Sequence, residues 1–166
     1  MLPYLEKVDV TEKKQEEGFY MPVQRVCRPD HTFRGFQGQI ESGEVKVGDE
    51  IVTLPSNERA HIKSILVGDK DSQSAFMGQP VTLQLDKEVD VSRGCVIASG
   101  NNLPISKSFT ATILWMDDEE LTPGTDYLVK LGTKQIPGIL KNIQYKIDVN
   151  TGEFIPAGQL LSLIHI

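Results

Sequence analysis

Cysteine is scarce: 166 residues hold only two, Cys27 and Cys95. That is too few for a disulfide framework, and their spacing matches no zinc motif. They read as reduced, half-buried strand residues. No apolar run approaches the roughly 20 residues a membrane helix needs. The opening M-L-P-Y-L-E-K-V-D has neither the basic nor the apolar region of a signal peptide, so the expected location is the cytoplasm, with no membrane partner. A basic domain is missing too. Lys+Arg against Asp+Glu number 3 and 5 in residues 1–18, 9 and 11 in 19–101, and 5 and 7 in 102–166, so each segment carries −2 of the total −6. Nothing there attracts a phosphate backbone, and nucleic acid is not an expected partner. Arginine is absent from the last segment; Arg25, Arg28, Arg34, Arg59 and Arg93 all lie in the middle one. Arginine suits interfaces better than lysine does, so polar contact surfaces are expected there.

Catalytic signatures are missing as well. There is no G-x-x-x-x-G-K-[ST], no G-x-S-x-G and no G-x-G-x-x-G. His31, His61 and His165 stand 30 and 104 residues apart with no carboxylate at ligand spacing, and read as surface or satisfied histidines. Asp117–Glu120 reads as a solvated acidic corner. Asp69-Lys70-Asp71 only faintly resembles the guanine-reading N-K-x-D, because position 69 is aspartate. No residue is assigned to catalysis, to a metal or to a cofactor in this chain.

What is present is strand after short strand. Leu2, Leu5 and Val8 sit at helical spacing before a charged T-E-K-K-Q-E-E, which suggests a short helix or extended tail entering a linker. Met21–Val26 reads as a first strand, with Pro22 tolerable near its start. Phe36, Gly38 and Ile40 alternate with Gln37 and Gln39, and Val45 and Val47 with Glu44 and Lys46. That is the period of a strand with one buried face. Ser42-Gly43 and Gly48-Asp49 supply turns. Glu50–Leu54, Ala60–Val67, Val81–Leu85 and Cys95–Ala98 continue the series, with Gly68–Ser74 as a polar loop. Six or seven short strands at this spacing make a closed barrel or a sandwich. After a turn-rich linker at Ser99–Pro104, alternation returns at Phe109–Trp115, Tyr127–Leu131 and Ile143–Val149. Leu160–Ile166 is apolar and strand-like. The expected division is a tail at 1–18, a first barrel at 19–101 and a second, incomplete one at 102–166; its unfinished edges would invite pairing.

Arg34 shares a face with Phe36 and Ile40, so it should point inward or lie at the barrel rim. There it would need a carboxylate or carbonyl partner. Two readings stay open, an internal tie at the barrel end and a contact with another domain or subunit.

The stretch R-P-D-H-T-F-R-G (Arg28–Gly35), with V-x-V-G-D-E-I and D-V-S-R-G-C-V-I, resembles the second domain of elongation factor Tu superfamily GTPases. A-T-I-L-W-M, L-x-P-G-x-x-Y and K-L-G-T-K (within 111–134) resemble the third domain. Arg28, Pro29, Phe33, Arg34 and Gly35 narrow the likeness to the GTPase subunit of bacterial sulfate adenylyltransferase. The resemblance implies an all-β chain of two consecutive barrels behind a GTPase domain. It implies a parent that couples GTP hydrolysis to adenylyl transfer from ATP to sulfate, giving adenosine 5′-phosphosulfate and pyrophosphate. GTP, ATP and Mg²⁺ would belong to the full complex, and a separate small adenylylating subunit would be the partner. Some relatives also carry a fused adenylylsulfate kinase. This chain would itself be inactive, with Arg28, Phe33, Arg34 and Arg93 as the candidate interface. A translational GTPase whose barrels meet tRNA, or a free-standing interaction module, are the alternatives.

Overall fold

Short alternating runs broken by glycine turns cannot satisfy their own backbone groups, so they must pair with one another. The computed structural model describes residues 18–30, 33–100, 103–148 and 150–159, and among them finds strands but no helix. The readings made for residues 2–17 and 160–166 lie outside the described residues. Two compact units form, one from the residues up to Ile105 with Gly132–Lys134, the other from Ser106–Leu131 and Gln135 onward.

The first unit contains β1 (Phe19–Pro22), β2 (Arg25–Cys27), β3 (Gly35–Gln39), β4 (Glu44–Lys46), β5 (Glu50–Leu54), β6 (Glu58–Val67), β7 (Lys70–Ser72), β8 (Ser74–Phe76), β9 (Pro80–Leu85) and β10 (Val96–Ser99). Its main sheet runs β1-β10-β5-β6-β9-β3-β2, antiparallel throughout. β1 and β2 are halves of one stave, so the two ends of this sheet meet and the barrel closes. The Tyr20 N–H donates to the Ser42 carbonyl at 3.1 Å, and the Glu41 N–H to the Tyr20 carbonyl at 2.9 Å. Between the halves, the Gln24 N–H donates to the Gln37 carbonyl at 2.8 Å. Arg25 is the register partner of Gln37, so a bulge sits there and lets the stave bend. β4 and β8 form a separate small sheet. At the β4–β5 turn Gly48 takes φ 93°, the left-handed region that glycine adopts freely.

In β5 and β9 every second residue is buried. Phe19, Met21, Phe36, Ile40, Ile51 and Leu83 are among the fully buried side chains. Each is worth roughly 1.5–3 kcal/mol of apolar burial. The buried hydroxyl of Thr53 is satisfied by Ser56 Oγ at 2.8 Å and by the Glu58 carbonyl at 3.3 Å, inside the β5–β6 turn.

The second unit holds β11 (Asp126–Leu131), β12 (Lys134–Ile139) apart from its first residue, β13 (Lys146–Ile147) and β14 (Phe154–Ile155), in two two-stranded sheets. Trp115 and Tyr127 meet edge to face at 5.6 Å, as do Tyr145 and Phe154 at 4.8 Å.

Three sequence expectations are corrected here. Gly68–Ser74 is not simply a loop: Lys70–Ser72 pairs back on Ile65–Val67 as β7. Polar composition hid this strand, because its burial is slight and no apolar side chain marks it. Phe109–Trp115 alternates but forms no strand, since no described neighbour offers it a ladder. Among the described residues of Ile143–Val149, the strand covers only Lys146–Ile147, with Tyr145 and Ile147 exposed. Alternation states which face could be buried, not that a partner is there to bury it.

Candidate functional site

Arg28 and Arg34, which lie between β2 and β3, meet Glu88 and Val91, which lie between β9 and β10, at one end of the first barrel. Arg28 is exposed and reaches Glu88 Oε1 at 2.6 Å. Arg34 donates from Nη2 to the Val91 carbonyl at 3.3 Å, and its guanidinium carbon lies 5.2 Å from the centroid of the Phe36 ring. The partner of Arg34 is therefore a carbonyl rather than a carboxylate, and an aromatic face carries part of the charge. Phe33 is half-buried; its backbone N–H donates to Asp30 Oδ1 at 2.9 Å, and its ring lies over Gly35. Arg93 is exposed in the turn before β10 and makes no ion pair among the described residues. The fold thus joins Arg28 and Arg34 to one connecting segment, Glu88–Val91, and Arg93 follows on the same segment.

Glu88 and Val91 gave no signal in the sequence. They lie 60 and 57 residues from their arginine partners, and nothing local marks a carboxylate or carbonyl as an arginine acceptor.

Nearby, His61 and Asp86 clip β6 to the end of β9. The His61 N–H donates to Asp86 Oδ1 at 2.9 Å, the Asp86 N–H to the His61 carbonyl at 3.0 Å, and His61 Nδ1 lies 3.1 Å from Asp86 Oδ2. The His61 backbone N–H, aided by the ring, holds the Asp86 carboxyl below the ordinary aspartate range. A lowered folded-state pKa contributes stability above the unfolded value near pH 4 and loses it as pH falls through the folded value. Asp86→Asn should therefore lower the melting temperature near pH 6 while changing it little near pH 2, so that the fall between them becomes shallower. An acid limb identical to wild type would rule the clip out as a contributor.

No described group of three or more His, Cys, Asp or Glu converges as a metal site. His31 and His165 lie outside the described residues. Asp117–Glu120 is fully exposed, its Asp117 carboxylate taken by the Glu119 N–H at 3.4 Å. Cys27 and Cys95 are free and half-buried.

Residues 108–160 match the GTP-eEF1A C-terminal domain-like family. Sulfate adenylyltransferase subunit 1 of Teredinibacter turnerae is 42% identical over 154 residues, which is 92% of this chain and 33% of that protein. The same subunit of Colwellia psychrerythraea is 43% identical over 161 residues, 96% of this chain and 34% of that one. Over most of its length, the chain is homologous to sulfate adenylyltransferase subunit 1. This subunit 1 homologue spans about a third of the length of the relatives it matches. Its fold is that of the elongation-factor-like β-barrel domains. A crystal structure of Sup35 complexed with GMPPNP aligns with a TM-score of 0.73 at 22% identity, covering 97% of this chain and 40% of that one. In the subunit 1 homologue, Arg28 and Arg34 of the R-P-x-x-x-F-R-G stretch lie at this end of the first barrel.

Proposed function

We propose that this chain is the paired-barrel region of the GTP-dependent subunit of a sulfate adenylyltransferase, with the tail, first-barrel and second-barrel boundaries near residues 18 and 101. The carrying observation is 42% identity to subunit 1 over 92% of the chain. In this reading the barrels do no chemistry. They pass the state of a GTP-binding domain to a small adenylylating subunit and help to dock it. The complex as a whole makes adenosine 5′-phosphosulfate from ATP and sulfate, in the cytoplasm.

The rim of the first barrel is the docking surface in this reading. Arg34 is held by a carbonyl and an aromatic ring, which fixes its direction. Arg28 and Arg93 are exposed and present guanidinium forks that suit carboxylates. Calorimetric titration with a purified small subunit should give saturable binding. Arg28→Glu together with Arg93→Glu should weaken it at least about tenfold, equivalent to about 1.4 kcal/mol, with the melting temperature kept. Absence of binding, or binding indifferent to both substitutions, would remove the docking role. GTP titrated alone should give no heat of binding; measurable affinity would overturn the placement of the nucleotide site outside this chain.

A further inference from the structure

Gly35 opens β3 without taking a left-handed φ, so its backbone conformation is open to an ordinary residue. Glycine also weakens a strand. What demands it here is space. A Cβ at position 35 would lie 2.5 Å from Thr82 Cγ2 and 2.8 Å from Phe33 Cε1. Phe36, the next residue, belongs to the barrel core, so position 35 faces the outer wall. Gly35 is nevertheless buried, and the Phe33 ring takes the room that a side chain there would fill.

Thr82 forms a second wall of this socket. It is the register partner of Gln37, whose Nε2 donates to Thr82 Oγ1 at 3.4 Å. With its hydroxyl turned to Gln37, its methyl is the part that meets the space over Gly35. An aromatic ring laid across a strand glycine supplies the packing that the glycine lacks.

The socket lies beside the groups that hold the rim. The Phe33 N–H is taken by Asp30 Oδ1. Arg34, the next residue, is gripped on the opposite face of β3, by the Val91 carbonyl and the Phe36 ring. Residues 33 and 34 thus fasten the start of β3 from both sides. Arg28 leaves β2 at the same level, because Cys27 is the register partner of Gly35.

Given the docking role proposed for the rim, we infer that Phe33 is a positioning residue and not a contact. Seated on Gly35, its ring fixes the start of β3 so that Arg28 and Arg34 keep the placement that the docking partner meets.

Amide exchange and calorimetry of the full chain test this together. Phe33→Ala should speed exchange of the residue-33 amide about tenfold or more, leaving the β5 and β10 amides as they are. It should weaken binding of the small subunit about tenfold, with the melting temperature kept. Phe33→Leu, which still fills the socket, should stay within about threefold of wild type. Gly35→Ala combined with Thr82→Ser separates positioning from contact, because it expels a ring that remains present. Positioning predicts the same loss of affinity; a ring that touches the partner would bind as well as before or better. Wild-type affinity in Phe33→Ala or in the combined variant overturns the inference, and so does unchanged amide exchange. If the wild type gives no heat with the small subunit, the docking reading fails instead. Exchange alone then decides whether Phe33 holds the rim.

Discussion

Phe36→Ala is expected to remove about 3–5 kcal/mol from the stability of the first barrel. Phe36 is 1% exposed and lies in β3, between β2 and β9. Truncation deletes an aromatic volume that neighbouring staves cannot collapse to fill, because their registers fix them. It also strips the ring from beneath Arg34, whose charge would then rest on the Val91 carbonyl alone. Against a total of about 5–15 kcal/mol for a typical domain, such a loss leaves a barrel at the edge of folding. Phe36→Leu keeps an apolar branch in place and should cost clearly less, about 1.5 kcal/mol or below. The readout matters. Trp115, the single tryptophan, lies in the second unit, so its fluorescence follows the wrong part of the chain. Amide exchange of the β3 and β9 backbone in urea is the suitable measurement. An unchanged midpoint for Phe36→Ala would mean that this site is far less packed than its burial indicates.

Gly38→Val should be more damaging still. A Cβ at position 38 would lie 2.5 Å from the Pro22 carbonyl oxygen and 3.0 Å from Met21 Cγ. The methionine can swing away, but the carbonyl belongs to the stave that closes the barrel and cannot. Overpacking of a well-filled interior costs about 1–3 kcal/mol, and contact with fixed backbone takes it to the top of that range or beyond. The expected result is loss of cooperative unfolding in the first unit. A melting temperature within a degree or two of wild type would show that the stave can shift. Gly48 makes a useful contrast, because nothing lies within 4 Å of a Cβ added there. Its cost is only that of a positive φ.

The sequence carried the first barrel well because its strands obey one rule at a time. Phe36, Gly38 and Ile40 alternate with glutamines, and the structure buries that set. The glycines at 43 and 48 turn the chain with positive φ where turns were expected. Local pattern was less informative where the partner is remote or weakly buried. β7 is three polar residues and leaves no apolar trace. Phe109–Trp115 leaves a clear trace and has no strand partner among the described residues. The rim residues fall between these cases. Arg34 was marked by sharing a face with Phe36, yet its acceptor lies 57 residues away. A single sequence records which side chains want company, not which company they find.

The pairing of Phe19 with Ser99 makes the first stave of this barrel also the partner of the last. On a ribosome adding roughly 5–20 residues per second, the 80 residues between them (99 − 19) take about 4–16 s to appear. Throughout that interval β1 has no β10 to bind, and an apolar stave carrying Phe19 and Met21 stays open to solvent and to chaperones. Closure is therefore a late event in synthesis, timed by the emergence of residues 96–99 rather than by any local preference of the strand that waits for them.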